Sequence, residues 1–80
     1  MIEGVKKTWT FDAEYNGKEE GCGDLILNLF LFFKSIKPGM CVCVTAYDKG
    51  AANDISAWCR STGKILLESS PPYYLIQKVK

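Results

Sequence analysis

Hydrophobic and polar positions alternate along most of the chain in one of two periods. Residues 8–13 (TWTFDA) place Trp9 and Phe11 two apart, the spacing of a strand. The stretch 15–21 (YNGKEEG) has an Asn-Gly pair and two glycines and predicts a loop. The period changes over 22–36 (CGDLILNLFLFFKSI), where Leu25, Ile26, Leu29, Phe32, Phe33 and Ile36 form one helical stripe. Asp24 in the first turn and Lys34 near the end complement the dipole of that helix. Lys37-Pro38-Gly39 then stops the helix and turns the chain.

Residues 40–46 (MCVCVTA) return to a period of two. Val42, Val44 and Ala46 fall on one face, and Cys41, Cys43 and Thr45 on the other. The turn 47–50 (YDKG) leads into a second helix over 51–62, where Ile55, Trp58 and Cys59 point the same way. Gly63 suits the left-handed position just past a helix end. Residues 64–69 predict a third strand and 73–80 a fourth. Ser70-Pro71-Pro72 between them cannot continue a ladder.

The order β-α-β-α-β-β predicts an α+β fold over residues 1–80, read as a single domain. It is a two-layer α/β sandwich, with two helices packed on one face of a four-stranded mixed sheet. The opposite face, carrying Cys41, Cys43 and Thr45, is expected to be partly open.

Charge narrows the function classes. Ten Lys+Arg against nine Asp+Glu leave a net charge of +1. That gives no electrostatic case for nucleic acid or an anionic membrane. Lys6-Lys7 and Lys78–Lys80 read as solubilising ends. The longest apolar run, 25–33, is interrupted by Asn28 and falls short of the ~20 residues that span a bilayer. The first residues lack the basic and apolar regions of a secretory leader, so a cytoplasmic location is expected.

Four cysteines, at 22, 41, 43 and 59, invite either disulfides or a metal. Reduced thiols are the expectation for a cytoplasmic chain. The spacing Cys41-x-Cys43, with no Cys-x-x-Cys and no histidine, argues against zinc, and no cofactor is expected. Cys22 stands apart from the others. It follows a loop, opens the first helix and is flanked by Gly21 and Gly23. A helix N-terminus offers free N–H groups and a positive dipole end, conditions that favour a thiolate. Glu19, Glu20 and Asp24 work against it. The bland alternative is a small, unreactive residue at a helix start. Cys59 reads as a core residue and Cys41 and Cys43 as strand packing. Asp48 is either a turn or cap residue or a partner-facing side chain beside Cys22. Trp58 reads as core.

Several of these features stand in register with a known pattern. From Cys22, Pro38-Gly39 follows at the distance expected of a helix and turn. The next strand ends at Asp48, Asp54-Ile55 opens the second helix, and Ala57-Trp58-Cys59-Arg60-Ser61-Thr62-Gly63 closes it. Over 22–68 the chain resembles the TusA/SirA family of small sulfurtransferases, in which a Cys-Pro-x-Pro opens the first helix. Here that motif reads Cys22-Gly23-Asp24-Leu25, without its prolines, and Lys64 stands where the family often has His. Phe11-Asp12-Ala13 matches the family's first strand end, with a longer loop before the cysteine.

The resemblance implies a sulfur carrier that accepts sulfane sulfur on Cys22 as a persulfide. It implies a donor protein of the desulfurase or rhodanese kind and a separate acceptor protein. Gly23, Asp24 and Asp48 would face those partners. The other expectation is a non-catalytic protein-interaction module on the same scaffold. It draws on Leu27, Phe30 and Leu31, apolar residues off the core stripe where the family often has lysines. They would form a docking or homodimer face.

Overall fold

A computed structural model describes residues 9–17 and 20–79, with the side chain of Cys22 outside that description. Expectations resting on Lys6, Lys7, Thr8, Glu19, Lys80 and the Cys22 thiol therefore lie outside the described residues.

Six elements follow in the order β1 (Ala13–Asn16), α1 (Cys22–Phe33), β2 (Cys41–Thr45), α2 (Ala51–Thr62), β3 (Ile65–Ser70) and β4 (Tyr73–Gln77). The sheet order is β1-β2-β4-β3. β1 runs parallel to β2, while β4 runs antiparallel to both β2 and β3. β2 and β3 are thus parallel but not adjacent, and the returning strand β4 fills the place between them. Both helices lie on one face. Leu25, Leu29 and Phe33 of α1 share a core with Ile55, Trp58 and Cys59 of α2 and with Val42, Val44, Tyr74 and Ile76 of the sheet. The two-layer mixed sandwich expected from the pattern is the fold observed.

β4 ends at Gln77 rather than at 80, and Ser70, expected in the link, pairs with Tyr73 inside the ladder. Three further local expectations need correction. The first strand lies at 13–16, later than 8–13. The ladder to β2 begins where Asp12 brackets Cys41: its N–H donates to the Cys41 carbonyl (2.8 Å), and its carboxylate accepts the Cys41 N–H (2.9 Å). Pairing with β2 selects the strand, and the alternation of Trp9 and Phe11 does not. The first helix closes at Phe33. Lys34, Ser35 and Ile36 continue as a tighter turn, each N–H donating three residues back, and the Ser35 hydroxyl donates to the Phe32 carbonyl. Ile36 is nonetheless buried, as its place on the stripe requires.

The third correction concerns the sheet's second face. Val42 and Val44 pack under the helices, so the strand register is as expected. Cys41 is half-buried on the other face, but Cys43 (0% exposed) and Thr45 (3%) are fully buried there. β2 is an interior strand. Cys43 sits between Glu14 and Leu75 in the ladder, and Thr45 between Asn16 and Tyr73. Short side chains flanked by longer ones on both sides lie below their neighbours.

The turns follow local chemistry. Gly39 takes φ 93° and Gly63 φ 75°, the left-handed region that disfavours any side chain. Gly63 ends α2 with its N–H on the Cys59 carbonyl.

Candidate functional site

Parallel strands bring their helices' starts to one end of the sheet. α1 begins after β1 and α2 after β2, so Cys22 and Ala51 both lie at the carboxyl end of those strands. The Pro71-Pro72 turn joins them there, because Tyr73 pairs with Thr45 and the Ala46 N–H donates to the Pro72 carbonyl (2.9 Å). This is the end of an α/β sheet at which ligands and partners are commonly received.

The segment leading to Cys22 is tied to the end of β2. The Gly17 N–H donates to the Thr45 carbonyl (2.8 Å), and the Glu20 N–H donates back to the Gly17 carbonyl (2.9 Å). Gly17 is buried, and a Cβ there would meet Leu25 Cδ1 at 2.7 Å and the Thr45 oxygen at 3.0 Å. A larger residue there would have to displace the Leu25 side chain and press on the Thr45 carbonyl. The loop before the cysteine is therefore clamped at its base. The helix start beyond it is open: Gly21 and Gly23 are exposed, and a Cβ on either would touch nothing.

Gly21 is the N-cap of α1, with extended backbone and no side chain of its own to cap the first turn. The first intrahelical bond runs from the Leu25 N–H to the Gly21 carbonyl (2.8 Å). The N–H groups of Cys22, Gly23 and Asp24 precede it and face no intrahelical acceptor. Asp24 is exposed in that turn. Glu20 is drawn aside, since the Tyr15 hydroxyl donates to its carboxylate (3.0 and 3.1 Å). Burial and that carboxylate raise the Tyr15 phenol above its ordinary pKa.

Asp48 follows β2 at the same end. Its carboxylate accepts the Gly50 N–H (3.0 Å), and its carbonyl accepts the Ala51 N–H (3.1 Å). It shapes the entry to α2, as the turn reading expects. Beside it Tyr47, Lys49, Pro71, Pro72 and Tyr74 line a shallow groove of about 460 Å³. The sequence pattern does not disclose that groove, because the two proline residues reach it only through the β3–β4 hairpin.

Of the remaining thiols, Cys43 and Cys59 are buried and Cys41 is half-buried. Cys41, Cys43 and Cys59 form no disulfide. Burial pushes the Cys59 thiol from its ordinary 9.0 up to about 11, although Lys64 nearby pulls the other way. Cys41 is raised by desolvation and by Asp12. Trp58 is buried edge-on against Phe33, with ring centroids 5.4 Å apart, which is a core position.

The Cys59 shift has a consequence for stability. The unfolded chain loses this proton near pH 9 and the folded chain only near pH 11. Its contribution is intact below pH 9 and falls away as pH rises to 11, by about 2–3 kcal/mol. Urea unfolding at pH 8 and pH 11 should show that loss, and Cys59→Ala should reduce it. Tyr15 and Tyr74, also raised, add to the same trend only above their ordinary value of 10.0. An unchanged alkaline slope in Cys59→Ala would show that the thiol is ionised in the fold.

Leu27, Phe30 and Leu31 lie on the outer side of α1, 57%, 44% and 52% exposed. The helical phase read from the sequence is correct. Among the described residues, no helix is long and apolar enough to cross a membrane. No family model matches the chain, and no curated protein matches it.

Proposed function

We propose that the protein is a sulfur carrier in which Cys22 accepts and passes on sulfane sulfur. The observation that supports this most is the placing of Cys22: first residue of a helix whose N-cap, Gly21, has no side chain to offer its first turn, between two exposed glycines. A thiolate at such a position draws on the dipole and the free N–H groups. In the reaction the Cys22 thiolate attacks the outer sulfur of a donor persulfide, R–S–SH. The S–S bond breaks, its electron pair leaves on R–S⁻, and Cys22 carries the –S–SH group. Attack by an acceptor thiolate on that outer sulfur reverses the chemistry and restores Cys22. Donor and acceptor are proteins, and Gly23, Asp24 and Asp48 lie at the end of the sheet that would meet them. The cytoplasm is the compartment in which such a thiol stays reduced. Mass spectrometry of the chain after exposure to a persulfide donor tests this.

A second reading is favoured by a different observation. The exposed apolar residues Leu27, Phe30 and Leu31 form a continuous patch on α1. That patch supports an interaction module, binding a partner or a second copy, with or without sulfur transfer.

A further inference from the structure

The two ends of α1 differ in chemistry. At the end remote from Cys22, about 18 Å along the helix, Phe30, Phe33, Lys34, Lys64 and Lys78 line a pocket of about 190 Å³. Three different parts of the chain supply its lysines: the C-cap of α1, the residue after the α2 cap, and the residue after β4. Each ammonium is positioned. Lys34 Nζ lies 5.0 Å over the Phe30 ring. Lys64 Nζ lies 4.8 Å over Trp58 and 5.5 Å over Phe33. Lys78 Nζ donates to the Phe33 carbonyl at 2.8 Å.

None of the five lining residues is acidic. Lys64 is held below its ordinary pKa by desolvation first and by the neighbouring Lys78 second. Cations gathered without a carboxylate repel one another, and an incoming anion relieves that repulsion.

The pocket is continuous with the apolar patch. Leu27, Phe30, Leu31 and Lys34 recur at i, i+3, i+4 and i+7, so they form one row on the helix, and Phe30 belongs to both features. We propose that this row and pocket are a docking surface for a segment of a partner protein in which apolar residues are followed by carboxylates. The apolar residues lie over Leu27, Phe30 and Leu31, and the carboxylates enter between Lys34, Lys64 and Lys78. Three lysines around one small concavity suit a narrow acidic chain better than the spread charges of a bilayer. The adjoining apolar row distinguishes it from a site for a lone anion. The inference rests on the interaction-surface reading and is independent of sulfur transfer at Cys22.

The test is NMR titration of the full chain with a synthetic peptide, Leu-Phe-Ala-Glu-Glu, capped at both ends. The acidic peptide should shift the amides of Leu27, Phe30, Leu31, Lys34, Lys64 and Lys78. Its glutamine counterpart should bind about tenfold more weakly, a charge-assisted contact being worth at least 1.4 kcal/mol. Added salt should weaken the acidic peptide alone. Lys34→Glu, an exposed change at the helix cap, should abolish the difference between the peptides without unfolding the chain. Absence of binding by the acidic peptide overturns the inference. So does binding of inorganic phosphate as tight as that of the peptide, or binding of phosphatidylglycerol vesicles in its place. Sedimentation showing a dimer that Leu27→Lys with Leu31→Lys dissociates, with no peptide binding, assigns the face to a second copy. If both peptides bind equally and that double variant removes both, the interaction surface stands and its acidic partner falls.

Discussion

Incubation with cysteine and a cysteine desulfurase should add the mass of one sulfur atom at Cys22, and Cys22→Ser should abolish the addition completely. The competition among the four thiols decides this. Cys59 is 2% exposed and holds its proton to about pH 11, so at neutral pH well under one molecule in a thousand has its thiolate. Cys43 is fully buried. Cys41 is half-buried on a strand, with Asp12 beside it raising its pKa. Only Cys22 starts a helix, after a loop held at Gly17 and between the exposed Gly21 and Gly23. Cys59→Ser should therefore keep the modification, at a stability cost of about 1–3 kcal/mol for a hydroxyl placed in the core. Tryptic mapping locates the added sulfur. Persulfide on Cys59, or on no residue while iodoacetamide still alkylates Cys22, would defeat the carrier reading. The interaction module on α1 would then be what remains.

What could be read from the sequence is what local chemistry determines. α2 occupies 51–62 as expected, since Ile55, Trp58 and Cys59 give its buried side and Gly63 its left-handed end. The core stripe of α1 and its exposed counterpart were both legible, because one helical period sorts Leu25, Leu29 and Phe33 from Leu27 and Leu31. What was not legible depends on partners distant in the chain. β1 lies where Asp12 and Gly17 hydrogen-bond to the two ends of β2, an interaction that no window around Trp9 and Phe11 contains. The alternation of β2 was plain, but burial of Cys43 and Thr45 follows from having Glu14 and Asn16 on one side and Leu75 and Tyr73 on the other. The candidate site divides likewise. The cysteine at a helix start is a local signal. The groove beside Asp48 and the three-lysine pocket exist only once the β3–β4 hairpin and the end of β4 are folded back.

Phe33→Ala should be the most damaging single truncation in α1, costing about 3–5 kcal/mol, whereas Phe30→Ala, three residues earlier, should cost no more than about 1 kcal/mol. Phe33 is 2% exposed and belongs to the core under both helices. Its ring meets Trp58 edge-on at 5.4 Å and Phe32 at 6.1 Å, so truncation removes both ring contacts and opens a cavity between α1 and α2. It also removes the ring beneath Lys64. Phe30 is 44% exposed and loses mainly its contact with Lys34. An 80-residue chain has a total stability of about 4–12 kcal/mol at ~0.05–0.15 kcal/mol per residue. The first loss takes a large part of that margin and should lower the melting temperature by more than about 12 °C. The second should shift it by no more than about 8 °C. Thermal melts of the two variants, followed by far-UV circular dichroism, make the comparison. Equal losses would mean that the two rings share one environment. The helical phase that separates the core of α1 from its docking face would then be wrong, and the inference built on that face would fail with it.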